Sequence, residues 1–368
     1  MKPIEKITWE IGTAYDFLVS LILLHDPKRY GLRPKWASAI RQRLPQRNRD
    51  VLEMLMNSVV VSPPLQWIYD SVPEPKGAQN LLSTLRSLDS FDRVSAIIGL
   101  NESSSAYTEF AARIIKTKEW TDADLEAVKL ISQDMGKPKS RDYLIGHLNS
   151  WVKLLDKSDE ILTALQSYYD AFFAGEEYRV LTALQRGLKE AQKLAKELSF
   201  TEFFMEISQG VVYEEDAFAQ ADELIFAPSF WASPFVFMSM SKTPFYLFGA
   251  RPDDTSLMPG EVVPDILIKS LNALSDPTRL RVLRYLSAEK LTPTQIANRL
   301  HLRTSTVAHH LNILRAAGLV VVQLNKKAKK EVYYATRTER IVVISNMIND
   351  FIFQDGGDSD GSKKTGTE

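Results

Sequence analysis

The spacing of apolar residues is most regular between residues 274 and 317, where it predicts three short helices in succession. Asp276-Pro277 and Thr292-Pro293 each place a capping side chain before a proline, an order that begins a helix. The third helix ends at Gly318, because glycine adopts the left-handed conformation at little cost. The inward stripes are Leu280, Val282, Leu283 and Leu286 in the first helix, Ile296, Ala297 and Leu300 in the second, and Val307, Leu311 and Leu314 in the third.

An alternating pattern after the third helix predicts two strands, residues 319–324 and 331–336, joined by a polar turn. Three helices followed by a basic hairpin are typical of a winged helix-turn-helix, which inserts its third helix into the DNA major groove. The outer face of that helix carries short or planar polar side chains that suit base edges, and the turn carries lysines that suit phosphates. The predicted DNA-binding residues are Arg303, Thr304, Ser305, Thr306, His309, Asn312, Lys326, Lys327, Lys329 and Lys330.

This region resembles the ArsR family of dimeric winged-helix repressors over about the last quarter of the chain. The resemblance is carried by LSDPTRLRVLRYLS (274–287), LTPTQIANRLHL (291–302) and TSTVAHHLNILRAAGLV (304–320). The family usually has Ser at the position of Arg303, often Gln at Thr304 and commonly a polar residue at Ala308, so its base preference does not carry over. The family's thiolate metal site is impossible here, because the chain has no cysteine.

Two further helices with apolar stripes flank the winged helix, one on each side. The family resemblance implies that they form a twofold dimer interface, and a twofold dimer binds an inverted-repeat operator. The alternative, in which one or both stripes pack on the N-terminal region, stays open. The predicted interface residues are Ile266, Leu267, Leu271, Ile344, Ile348 and Phe351.

The first 210 residues are predicted to be mostly helical, beginning with an apolar stretch over residues 8–25. Three aromatic-rich segments after Gly210 predict strands of a small antiparallel sheet. The predicted fold is therefore mainly α, with a winged helix-turn-helix at its C-terminal end. The predicted division is a helical domain (1–210), a small antiparallel β element (211–255), a winged helix-turn-helix domain with flanking dimerisation helices (262–353) and a disordered tail (354–368).

Composition adds the cellular setting and the distribution of charge. No apolar run reaches the roughly 20 residues of a membrane span, and the N-terminus lacks the features of a signal peptide, so we expect a cytoplasmic protein without membrane contact. Between residues 261 and 353 there are 14 Lys/Arg against 7 Asp/Glu, a surplus of seven positive charges. Since the whole chain has a net charge of -1, the remainder has a net charge of −8. This asymmetry favours polyanion binding by the C-terminal region only.

The sequence predicts no catalytic site, metal site or cofactor. His309 and His310 are adjacent, so on a helix their side chains diverge by about 100° and do not readily share one ion. Tryptophan and phenylalanine, frequent before residue 250, could line an apolar pocket, although core packing is their commoner use.

The function predicted from the sequence is a dimeric DNA-binding transcription regulator, expected to be a repressor. Its N-terminal domain would sense a small molecule or a partner protein. Two alternatives remain at this point: the N-terminal domain only builds the dimer, or it is an enzyme domain tethered to DNA.

Replacing Lys326, Lys327, Lys329 and Lys330 by alanine together should weaken binding to any DNA duplex. If each lysine neutralises one phosphate, the slope of log affinity against log salt should fall by about 3–4 units. A titration with labelled duplex at several salt concentrations measures this slope. An unchanged affinity and slope would show that the hairpin turn does not contact DNA.

Overall fold

A computed structural model describes residues 3–27, 30, 32–59, 63–102, 105–134, 139–212, 218, 221–239, 243–258, 263–324 and 332–353. The predicted tail, residues 354–368, and the lysines of the hairpin turn lie outside the described residues. The chain divides into two compact units, Met1–Pro252 with Val321–Tyr333, and Asp253–Val320 with Tyr334–Glu368. The expected mainly helical fold is confirmed.

The first unit is built largely from helices, as the sequence predicted. They are α1 (Thr13–His25), α2 (Pro34–Gln42), α3 (Gln46–Ser58), α4 (Leu65–Ser71), α5 (Ala78–Ser87), α6 (Ser90–Ile98), α7 (Ala106–Thr117), α8 (Asp122–Asp134), α9 (Arg141–Lys153), α10 (Ser158–Tyr168), α11 (Ala174–Glu197) and α12 (Phe200–Ile207). The start of α8 is a reciprocal cap, in which the backbone N–H of Thr121 donates to Asp124 at 2.8 Å and the backbone N–H of Asp124 donates to the Thr121 hydroxyl at 3.4 Å.

The strands of this unit are short. They are β1 (Ile7–Trp9), β2 (Val211–Val212), β3 (Leu224–Ser229), β4 (Val236–Ser239) and β5 (Phe245–Gly249). The apolar stretch over residues 8–25, predicted as part of a helical region, is not helical at its beginning, because Ile7–Trp9 pairs with β3 and α1 begins only at Thr13. β-Branched and aromatic side chains suit a strand, and Gly12 with φ of −176° leads from it into the helix.

The strand directions also differ from the prediction of an antiparallel sheet. The order in the four-stranded sheet is β1-β3-β5-β4, and only the β4–β5 pair is antiparallel. All six residues of β3 are buried, which is typical of a strand between parallel neighbours with both faces covered. Alternating apolar residues predict that strands exist, but they do not specify which strands become neighbours.

Aromatic rings fill the space between this sheet and α12. Phe226 and Tyr246, on neighbouring parallel strands, stack with ring centroids 4.9 Å apart. Phe204 of α12 meets Tyr246 edge-on at 5.2 Å. These side chains are at most 1% exposed, so they pack as core, the more common use of aromatic residues.

Two further strands are β6 (Val320–Leu324) and β7 (Val332–Thr336). Within the first unit, Val211 and Val212 pair in parallel with Val322 and Gln323. None of the helices within the described part of the chain is both long enough and apolar enough to cross a bilayer.

One carboxylate is buried where α1 meets the end of β3. Asp16 is 0% exposed, and one of its oxygens accepts from the Ser229 hydroxyl at 2.8 Å and from the backbone N–H of Trp231 at 2.9 Å. Burial raises the pKa of Asp16 from 3.8 to about 7, although these hydrogen bonds favour the ionised form. The side chain therefore links a helix to a strand at the cost of desolvating a charge.

The raised pKa predicts that Asp16 makes the protein less stable as pH rises. Between pH 4 and 7 the folded protein retains a proton that the unfolded chain has lost, so wild type should lose about 4 kcal/mol relative to Asp16→Asn across this interval. Above pH 7 the difference should level off. Urea unfolding of both proteins from pH 4 to 8 measures the difference in their free energies of unfolding. All other titrating groups are the same in the two proteins, so their contributions cancel in this difference. A difference independent of pH would contradict the burial of an ionisable Asp16.

Candidate nucleic-acid interface

The second unit contains the three helices of the predicted helix-turn-helix. These three helices are α14 (Pro277–Ala288), α15 (Pro293–Leu300) and α16 (Thr304–Ala316). Helix α13 (Asp265–Leu274) precedes them, and helix α17 (Thr338–Phe353) follows the hairpin. Asp276 caps α14 by accepting from the backbone N–H of Arg279 at 2.9 Å. Thr292 and Gln295 form a reciprocal capping box at the start of α15. Both predicted helix starts are confirmed, because each depends on residues within one turn.

The turn between α15 and α16 is short and tightly bonded. His301 ends α15 in the left-handed conformation, with φ of 54°. The backbone N–H of Leu302 then donates to the carbonyl of Ala297 at 3.0 Å. Arg303 leads directly into α16 in an extended conformation. The turn therefore sets the direction in which the third helix leaves the second.

Packing sets the rotation of α16 about its own axis. Val307, Leu311 and Leu314 are at most 1% exposed and pack in one core with side chains from α14 and α15, including Val282 and Ile296. The opposite face consequently points outward. The described residues predicted to bind DNA are all exposed: Arg303, Thr304, Ser305, Thr306, His309 and Asn312.

The corner after α16 returns the chain into the same core. Gly318 has φ of 69°, the left-handed conformation predicted from the sequence. Leu291, before α15, forms a β-bridge with Tyr334 of β7, and the Thr336 hydroxyl donates to the carbonyl of Leu283 at 2.8 Å. These contacts fix β7 against α14 and α15.

Several charged and ionisable side chains near α16 have structural roles that the sequence did not reveal. Arg279 donates to the carbonyls of Ala273 at 2.7 Å and Asn272 at 2.6 Å, so it caps the end of α13. Burial lowers the pKa of His310, which favours its neutral form, while the neighbouring His309 is exposed. The sequence position of His310 could have indicated its partial burial, because residue 310 follows the buried Val307 by three and lies at the edge of the apolar stripe.

The residues predicted at a dimer interface differ in their exposure. Ile266 and Leu267 of α13 are 7% and 3% exposed, and Ile344 of α17 is 1% exposed within the core of the second unit. Ile348 is partly buried against the same core. Leu271 and Phe351 are 48% and 42% exposed. The predicted stripe is thus divided between side chains inside the subunit and side chains on its surface.

Among the described residues, no three His, Asp or Glu side chains are grouped as ligands for a metal ion. Acidic side chains around α14 to α16 instead form pairs and caps. Glu289, for example, accepts from Arg299 at 2.8 Å, and this contact lowers the pKa of Glu289.

Known proteins are similar to this chain over its C-terminal module. A helix-turn-helix domain family matches residues 274–323. The transcriptional repressor SdpR of Bacillus subtilis is 32% identical over 89 residues, which cover 24% of this chain and 92% of SdpR. NolR from Sinorhizobium fredii is 26% identical over 24% of this chain and 85% of its own, with a TM-score of 0.20. HlyU from Vibrio cholerae is 27% identical over 24% of this chain and 91% of its own, with a TM-score of 0.19.

Alanine at His309 or Asn312 tests whether the exposed face of α16 reads bases. Each substitution should cost about 1–3 kcal/mol on the cognate site and much less on random duplex, because base contacts carry sequence information and phosphate contacts do not. Fluorescence anisotropy with both kinds of DNA measures the difference. Losses of equal size on the two would instead identify these residues as backbone contacts.

Proposed function

Residues 274–323 belong to the helix-turn-helix family, and we propose that the protein acts through them as a sequence-specific DNA-binding transcription regulator of the ArsR type. The observation that carries the proposal is the exposed polar face of α16, held outward by the burial of Val307, Leu311 and Leu314. His309 and Asn312 would contact base edges in the major groove. The lysines of the hairpin turn, Lys326, Lys327, Lys329 and Lys330, would contact phosphates and supply affinity without sequence information.

The regulator would act as a homodimer. The exposed apolar side chains of the flanking helices support this proposal, since water is a poor environment for Phe351 at 42% exposure and Ile352 at 61%. Ile266, Leu267 and Ile344 are already buried within the subunit, so we narrow the interface to Leu271, Ile348 and Phe351, with Ile352. A twofold dimer places two α16 helices against successive turns of an inverted-repeat operator.

The first unit would sense a small molecule or a partner protein in the cytoplasm, and binding of that signal would release the operator. Repression is proposed from the similarity to SdpR, a transcriptional repressor. We propose no catalytic role for either unit.

Selection of bound duplexes from a random DNA pool tests this function with the full chain. The expected product is an imperfect inverted repeat whose half-sites are centred about 34 Å, one DNA turn, apart. Enrichment of no sequence would contradict sequence-specific binding. Enrichment of a single asymmetric half-site would retain DNA binding and contradict the dimer.

Two substitutions in α17 separate assembly from folding. Phe351→Glu should weaken dimerisation by about 2 kcal/mol or more, while the subunit melts as wild type. Ile344→Glu should instead destabilise the subunit by about 3–5 kcal/mol, because it buries an unpaired charge. Val342→Glu is the matched control, since Val342 is 57% exposed and lies on the opposite side of α17 from Ile344. Light scattering beside thermal melts distinguishes the cases, and a Phe351→Glu protein that remains dimeric at micromolar concentration would overturn the proposed interface.

A further inference from the structure

A groove of about 970 Å³ lies on the first unit between α3, α9 and the start of α10. Its volume is within the range of small-molecule sites. It is lined by side chains of these three helices rather than by the aromatic core around the sheet. The two ends of the groove differ in chemistry, and this difference indicates what it can bind.

One end of the groove has a flat aromatic wall. The ring of Tyr143, 45% exposed, lies parallel to His147 with 11° between the ring planes and 6.4 Å between centroids, and the Lys139 ammonium lies over the same ring, 4.5 Å from its centroid. His147 is held on both sides, because Nδ1 donates to the carbonyl of Asn57 and Nε2 accepts from the Tyr107 hydroxyl at 3.1 Å. Burial lowers the pKa of His147, so the ring behind Tyr143 is neutral. His147 is therefore fixed before any ligand arrives, and Tyr143 rests against it.

Gly146 keeps this part of the groove open. It lies in the middle of α9, although glycine is the poorest helix former after proline. A Cβ added at Gly146 would meet no atom within 4 Å. No packing constraint therefore requires a glycine here, whereas a larger side chain would occupy the groove.

The rest of the groove carries charged side chains of both signs. Arg47, Lys153 and Lys157 are its cations. Glu160 accepts from both Arg47, at 3.3 Å, and Lys157, at 2.9 Å. Asp50, Glu53 and Glu160 also line the groove, so its charges are balanced, and a ligand with several negative charges is disfavoured.

We propose that this groove binds a small planar aromatic molecule with a single carboxylate, its ring against Tyr143 and its carboxylate toward Lys153. As the signal of the regulator, such a molecule would lower the affinity for the operator, and this second step rests on the proposed function. The ring would gain stacking and burial of apolar area, and the carboxylate would gain charge-assisted hydrogen bonds.

Three probes test the two halves of this recognition in the full chain. 2-Naphthoate has both the flat ring and the carboxylate, 2-naphthamide lacks the charge, and cyclohexanecarboxylate lacks the flat ring. Saturation-transfer NMR and calorimetry should show 2-naphthoate binding at least about tenfold more tightly than 2-naphthamide or cyclohexanecarboxylate. No binding of 2-naphthoate, or equal binding of all three, would overturn the proposal.

Gly146→Leu locates the site, and Gly175→Leu is its matched control. Both glycines lie in helices of the first unit, and neither has an atom within 4 Å of an added Cβ, but only Gly146 lines the groove. Gly146→Leu should fold as wild type and lose 2-naphthoate binding by more than about tenfold. Gly175→Leu should bind the probe as wild type. Probe binding that survives Gly146→Leu would show that the groove is not the site.

Operator binding is measured on the same proteins with and without the probe, so that the two proposals fail separately. Both variants should bind the selected operator as wild type when the probe is absent. 2-Naphthoate should weaken operator binding by wild type and by Gly175→Leu, and leave Gly146→Leu unchanged. A probe that binds the groove without affecting the operator would overturn its role as a signal site. A wild-type protein that selects no DNA sequence would refute the regulator, while the calorimetric result for the groove would stand.

Discussion

Burial of Val307, Leu311 and Leu314 is the constraint on which the proposed DNA-binding surface depends. These residues recur at the helical period, so packing them against α14 and α15 permits a single rotation of α16 about its axis. That rotation exposes His309 and Asn312 together. The exposed polar face is thus a consequence of the core behind it, and the polar residues themselves contribute little to holding the helix in place.

The same helical period has a different outcome in α17. Ile344 and Phe351 are seven residues apart and lie on one face, yet the first is 1% exposed and the second 42%. The core of the second unit covers the middle of the helix, and Phe351 lies near its end. A stripe in the sequence therefore shows which face is apolar, but it cannot show how far along the helix the neighbouring core extends.

The first unit shows the limit of sequence patterns for strands. Three strands were predicted after Gly210 and are present as β3, β4 and β5, but β5 lies between β3 and β4, and β1 joins the sheet from the beginning of the chain. The buried Asp16 fastens α1 to the end of β3 through Ser229, a contact between residues 213 positions apart. The apolar residues on both sides of Asp16 indicate a buried helix, but nothing near Asp16 indicates its hydrogen-bond partners, because Ser229 and Trp231 are distant in the chain.

The sequence by itself determined the helix starts at Asp276 and Thr292, the left-handed corner at Gly318 and the outward face of α16. Each follows from caps, backbone freedom and periodicity that act within a few residues. Only the tertiary structure decided the order of the strands, the split of the flanking stripes between core and surface, and the groove beside Tyr143. The groove wall depends on a contact between Asn57 and His147, 90 residues apart, and such contacts follow from how whole helices pack, which no local pattern encodes.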